Sequence, residues 1–282
     1  MISDKHKWTM IINPIRTVDF KPHELWNYRD LIYLFIRRDF LATYKQTVLG
    51  PLWFLLQPFF STLVYTFVFG QVAKIPTDGL PPMVFYMSGI VSWNYFSSCV
   101  SKTSDTFAAN APIFGKVYFP RLTVPLSAII TNLFTFIIQF TFFLFFLVYF
   151  VARGSDIRPN AFILLVPILL TQMGFLGMGV GILISSMTTR YRDLTYLVGF
   201  GIQLWMYATP IVYPVSQVPE RWKWVFILNP MASIIEAFRY GFLGAGSINL
   251  PSLLISFIIT ICIFVLGLLL FGRTEKTFMD TI

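Results

Sequence analysis

The chain opens with a stretch in which charges recur every few residues, and then passes into long uncharged runs. Windows free of Asp, Glu, Lys and Arg extend over Thr47–Val72, Met83–Ser101, Leu122–Ala152, Ala161–Thr189, Leu194–Val218 and Leu250–Gly272. About 20 apolar residues cross a hydrocarbon core of roughly 30 Å, so this pattern predicts an all-α polytopic membrane protein with six transmembrane helices. The second window is the most polar, with Ser88, Ser92, Asn94, Ser97 and Ser98. These side chains form either a buried helix-packing face or the lining of a wet pathway, because Ser and Asn also join helices within membranes. The third window, helical throughout, would be about 45 Å long and must tilt or project.

Ahead of the first window the period changes. From Glu24 to Leu41 a helical wheel gathers Leu25, Tyr28, Leu31, Ile32, Phe35 and Ile36 on one side and Asn27, Asp30, Leu34, Arg37 and Arg38 largely opposite. The expectation is an interfacial helix on the inner leaflet, either a plain lipid anchor or a helix whose polar face docks a cytoplasmic partner. Leu34 amid the polar face favours docking. The chain thus divides into a cytoplasmic arm with the amphipathic helix, residues 1–46, and a membrane domain, residues 47–282. The arm holds no 7–15 residue apolar core and no small-residue cleavage site, so it does not read as a cleavable signal peptide.

Composition supports the membrane class: 56% of residues are hydrophobic, 12% are charged and 31 are Phe. With the N-terminus inside, the outer segments hold only Lys74, Arg153, Arg158, Arg221, Lys223 and Arg239 of the 21 Lys and Arg. That bias places both termini in the cytoplasm, although most of it comes from the first 46 residues. The net charge of +8 fits topology and anionic lipid headgroups rather than nucleic acid, since no basic face with interleaved aromatic residues occurs.

Searching for chemistry yields absences that narrow the function. Gly115 and Lys116 are followed by Val117, and Asn110 stands where a phosphate-binding loop needs its first glycine, so the chain has no such ATP site. The spans contain no carboxylate, His or metal set for hydrolysis or group transfer, and no ionisable residues at membrane depth for ion coupling. Cys99 and Cys262 read as packing residues, and His6 and His23 have no clustered ligands. No catalytic residue, metal or cofactor is therefore assigned to this chain. A membrane pathway driven by a separate ATPase is the economical reading.

Hydrophilic islands are the places for coupling. NAPIFGKVYFPR, Asn110–Arg121, has Pro112 and Pro120 bracketing mixed apolar and basic residues, including Lys116 and Tyr118. It suits a short helix across the cytoplasmic face, or an ordinary turn. TTRYRDL, Thr188–Leu194, orients the flanking spans. From Pro214 to Pro251, apolar residues at helical spacing predict two short helices dipping back towards the membrane. There Glu236 and Arg239, three apart, either pair with each other or contact substrate, and Trp222 and Trp224 mark the interface. Gly174, Gly177, Gly179 and Gly181 predict close helix packing, which Gly199 and Gly201 can extend.

In their order and spacing, these landmarks resemble the membrane subunit of ABC-2 type polysaccharide exporters, the O-antigen and capsule export permeases. The carriers are RRDFLATYKQTVLGPLWFLLQP at Arg37–Pro58, KVYFPRLTVPLS at Lys116–Ser127, YRDL at Tyr191–Leu194, ATPIVYP at Ala208–Pro214, NPMASIIEAFR at Asn229–Arg239 and the terminal FMDTI. The resemblance implies a homodimer with two copies of an ABC ATPase that uses ATP and Mg²⁺, in the bacterial inner membrane. It also implies export of a polyprenyl-diphosphate-linked glycan. On that basis Asn27, Asp30, Leu34, Arg37, Arg38, Pro112, Lys116 and Tyr118 engage the ATPase. Tyr86, Trp93, Tyr95 and Phe96 either line a channel along which sugars slide or pack in the core, and Glu236 and Arg239 sit on outer-face helices. Exporters of teichoic acid or small drugs, and an ATP-independent channel or scaffold, are the rival readings.

Overall fold

The computed structural model describes residues 22–277 apart from Gln46, Arg190, Arg192 and Ser247. The first part of the arm with His6, the two arginines of the Tyr191 loop and the FMDTI tail lie outside the described residues. Among those described, the secondary structure is helical, with no strand. The N-terminal segment forms α1 (Pro22–Asn27) and α2 (Arg29–Tyr44), divided at Tyr28. Next come α3 (Trp53–Tyr65), which continues as a widened helix over Thr66–Val72, and α4 (Pro82–Ser104). After α5 (Thr106–Phe114) and α6 (Thr123–Ala152) lie α7 (Val166–Thr188) and α8 (Leu194–Tyr207). The chain closes with α9 (Lys223–Leu228), α10 (Pro230–Leu243) and α11 (Leu250–Thr277).

Among the described residues, four helices are long and apolar enough to cross a membrane: Gly50–Val72, Thr123–Ala152, Ala161–Thr188 and Leu250–Lys276. The second window becomes α4, long enough at 23 residues but too polar for that group. Its polar groups turn inward: Ser88 and Ser92 are fully buried and donate to Phe85 O and Ser88 O, while Asn94 Nδ2 reaches Gln139 Oε1 on α6 at 3.4 Å. They form a helix-packing face. The fifth window yields only the 14 residues of α8, about 21 Å of helix, because the chain leaves the helix before Pro210 and Pro214. Absence of charge predicts burial in lipid or protein; it does not predict an unbroken helix.

At the centre, α7 is held between α4 and α11, its most extensive neighbours, and glycines set the approach. An added Cβ on Gly177 would stand 2.6 Å from Cys99 Cβ and one on Gly181 1.7 Å from Thr103 Oγ1, both on α4. On the opposite face, one on Gly179 would stand 2.8 Å from the Phe264 Cα of α11. Gly199 and Gly201 do not extend this packing, for nothing lies within 4 Å of either position. Gly179→Ala should therefore cost about 1–3 kcal/mol through overpacking against backbone, read as a lower Tm of the detergent-solubilised chain. Gly201→Ala, which meets nothing inside α8, should leave Tm equal or slightly raised.

A second packing device is aromatic. Phe140 and Phe143 of α6 meet Phe238 and Phe242 of α10, with Phe136 stacked on Phe140 and ring centroids 4.8–6.0 Å apart across the group. This anchors α10 inside the bundle, so it is a core helix despite its place in a loop between spans.

Candidate functional site

At one end of the bundle three separate parts of the chain meet. The inward side of α2 presents Phe35, whose ring lies 5.7 Å from Phe119 in the turn before α6. Phe119 lies 5.6 Å from Phe114, Phe114 lies 6.1 Å from Phe107, and Phe107 stacks on Phe271 of α11 at 4.7 Å. Arg121 closes the group: its guanidinium sits over Phe114 at 5.4 Å and donates to Glu275 O at 2.6 Å. From Phe35, α2 runs along α6 to Phe40, which meets Phe134 edge-on at 6.3 Å. The predicted sidedness of this segment holds, with Ile32 and Phe35 buried and Asn27, Asp30, Leu34, Arg37 and Arg38 exposed.

The helix expected over Asn110–Arg121 lies earlier. It is α5, so Pro112 sits within a helix instead of bracketing one, and residues 115–121 form turns. Pro112 has no N–H to donate to the carbonyl of Ala108, so α5 is one bond short there, and it ends two residues later at Phe114. Pro112, Lys116 and Tyr118 are exposed. Leu34, Val117 and Tyr118 are each more than half exposed beside charged neighbours, a composition suited to a partner surface.

Tyr86, Trp93, Tyr95 and Phe96 line no open passage within the protomer: their exposures are 0, 4, 5 and 0%. Trp93 and Phe96 pack on Trp205 of α8, and Tyr95 on Phe136 of α6. In this chain they are core residues, because α4 is enclosed by neighbours on nearly every face. Free apolar surface lies elsewhere. Trp53, Gln57, Phe60, Val64, Phe67 and Gln71 form an exposed stripe along α3 and its extension, and Tyr196, Phe200, Gln203 and Tyr207 another along α8.

The opposite end is organised by α10. Asn229 caps it, Oδ1 accepting from Met231 N at 3.1 Å, with Pro230 in the first turn. The same side chain accepts from Trp205 Nε1 and donates to Ala208 O and Thr209 Oγ1, fixing the start of α10 to the end of α8. Gly244 ends α10 at φ +73°, and any Cβ there would come 2.5 Å from Arg158 O.

Arg239 does not pair with Glu236. It is 5% exposed, with its guanidinium 3.8 Å above the Phe85 ring. It donates to the carbonyls of Pro210, Ile211 and Phe85 and to Ser88 Oγ. Pro210 and Ile211 follow the end of α8, outside any helix, so their carbonyls have no intrahelical donor; Phe85, in the first turn of α4, also accepts from Ser88 Oγ. Arg239 thus ties α10 to both helices. Glu236 instead lines a chamber of about 500 Å³ with Asp78, Ser216, Lys223, Phe226 and Asn249. Burial pushes its carboxyl up to about 7, against the pull of Arg239 and with Asp78 adding to the rise. A carboxyl raised in the folded state contributes stability at low pH that is lost as pH rises towards 7. Wild-type Tm should therefore fall relative to Glu236→Gln between about pH 4.5 and 7, checked by thermal unfolding across that range.

Several of these groupings escaped sequence reasoning. Asn229–Pro230 carries a legible signal, cap followed by first-turn proline. Arg121 and Glu275, 154 residues apart, carry none, nor do the carbonyls that hold Arg239.

A family model for the ABC-2 type transporter matches residues 30–243. The chain is 28% identical over 252 residues to the O-antigen export system permease protein RfbA of Klebsiella pneumoniae, covering 89% of this chain and 94% of that protein. Its identity to the protein of the same name from Myxococcus xanthus is 29% over 220 residues, 77% of this chain and 81% of the relative. To the polysialic acid transport protein KpsM of Escherichia coli it is 23% over 251 residues, covering 86% and 93%. With the family match running over more than half of its residues, this chain belongs to the ABC-2 type transporter family.

Proposed function

We propose that the chain is the membrane subunit of an ATP-driven exporter of O-antigen- or capsule-type polysaccharide, working as a homodimer with two copies of an ABC ATPase. The observation that carries this reading is the alignment of nearly nine-tenths of the chain with permeases named for O-antigen export. Its substrate is a glycan carried on polyprenyl diphosphate, and its location is the bacterial inner membrane with both termini cytoplasmic. ATP and Mg²⁺ act in the partner, and residues 1–46 belong to its docking side. In this reading α4 and α8 are the second and fifth of six spans, and α9 and α10 are re-entrant helices at the outer face.

The free stripes on α3 and α8 support a pathway completed by a second copy. Each mixes aromatic rings with Gln, which lipid disfavours and a glycan can use, through stacking and hydrogen bonds. The test is purification from native membranes in mild detergent with thiol cross-linking of Gln203→Cys in a Cys262→Ser background. An ATP-hydrolysing polypeptide in near-equal amount and a cross-linked dimer are expected. A monomer without ATPase in several detergents overturns the assembly, and surface glycan unaffected by deletion of the gene overturns the export function.

Exposed charges at the α2 end make the docking side testable. Charge reversal at Arg37 and Arg38, or at Lys116, should reduce ATPase co-purification and glycan export several-fold while membrane abundance stays constant. Unchanged export removes these residues from docking.

A further inference from the structure

The chamber beneath α9 and α10 has the size of a small-ligand site, within roughly 300–1,000 Å³ at about 500 Å³. Its wall carries both signs of charge. Asp78 and Glu236 oppose a phosphate or other anion, while Lys223 and the buried Arg239 oppose a metal cation. The donors of Arg239 are turned to backbone carbonyls and Ser88, so the guanidinium is occupied in holding the fold. Lys223 is paired with Glu220. What the chamber offers an uncharged polar ligand is carboxylate acceptors beside amide and hydroxyl groups.

Glu236 is the central group. It is half-buried, neither carboxylate oxygen has a hydrogen-bond partner among the described residues, and neither is sealed off, so both are open to a ligand or water in the chamber. Asn249 accepts from Ser252 N at 3.3 Å through Oδ1, which leaves its amide N–H groups to donate. Ser216 donates to Asp78 Oδ1 at 2.7 Å, which leaves the other Asp78 oxygen as an acceptor. Phe226 supplies an apolar ring beside these groups, braced edge-on by Tyr213 at 6.0 Å. Two-oxygen acceptors, an amide donor and one ring suit a polyhydroxylated ring with an apolar face.

We propose that this chamber binds sugar units of the exported glycan, with Glu236 accepting neighbouring hydroxyls and Phe226 packing against the ring face. The proposal rests on the polysaccharide-export reading and adds a saccharide site to it, contained within one protomer. Trp222 and Trp224, both about half exposed next to the chamber wall, provide the reporter.

The experiment uses the full chain with its co-purifying ATPase in lipid nanodiscs. The probe is a set of two- to four-sugar fragments made from the host cell's own surface polysaccharide. Saturable tryptophan quenching by the fragments is expected, weakened at least about tenfold in Glu236→Ala and in Phe226→Ala, with calcium or inorganic phosphate alone giving no response. Equal binding by wild type and both variants, no fragment binding, or saturation by calcium or phosphate overturns the saccharide site. Complementation separates this from the broader reading: wild type restoring surface glycan to a deletion strain while fragments fail to bind refutes the chamber alone. Surface glycan that does not depend on the chain refutes the export reading itself.

Discussion

Arg239→Leu is expected to destabilise the folded chain by roughly 3–5 kcal/mol, at the upper end for a single substitution. The argument is one of orphaned acceptors. The guanidinium serves the carbonyls of Pro210 and Ile211 just past α8 and, on α4, the Phe85 carbonyl and the Ser88 hydroxyl, and leucine fills much of the space while serving none; Phe85 O keeps its bond from Ser88 Oγ, so the loss falls on Pro210 and Ile211. Each buried acceptor left without a donor costs about 1–3 kcal/mol. Lysine retains the charge but not the planar fork, so Arg239→Lys should fall between wild type and Leu. Thermal unfolding of the purified chain measures this, and a Tm equal to wild type for Arg239→Leu would show that α10 is held by its aromatic packing alone. Export should fall with stability, because the same contacts position the roof of the chamber.

The role of Arg239 could not be read in advance because its partners are backbone atoms, which sequence does not distinguish. Its carbonyl partners stand 28 to 154 residues away. The long apolar helices were legible, since lipid imposes composition directly on Thr123–Ala152 and Leu250–Lys276. Close packing at Gly177 and Gly181 was legible for a similar reason: small residues one turn apart serve few other purposes in a membrane helix. Direction was harder. Because apolar and small polar residues are both spread round α4, its helical period singles out no face, and Tyr86, Trp93, Tyr95 and Phe96 were open to being channel lining as much as core. The amphipathic α2 posed the reverse case, with its buried side fixed by period but its resting place along α6 invisible until Phe40 met Phe134.

Phe119→Ala is expected to lower glycan export at least about tenfold, equivalent to about 1.4 kcal/mol of coupling, while the ATPase still co-purifies. Docking and transmission are separable here because they use different sides of the same segment. Arg37, Arg38 and Lys116 face outward, whereas Phe119 faces inward between Phe35 and Phe114. Through Phe107 and Phe271 that contact continues to α11, so a shift of α2 driven by the ATPase reaches a long membrane helix as a rigid-body movement. If Phe35 and Phe119 act as one link, Phe35→Ala should cause a similar loss and the double variant little more than either single, the non-additivity that residues in contact show. Membrane abundance and ATPase recovery serve as controls. Additive losses would mean that each ring only stabilises its own segment, and intact export in both single variants would place the transmission route outside this aromatic group.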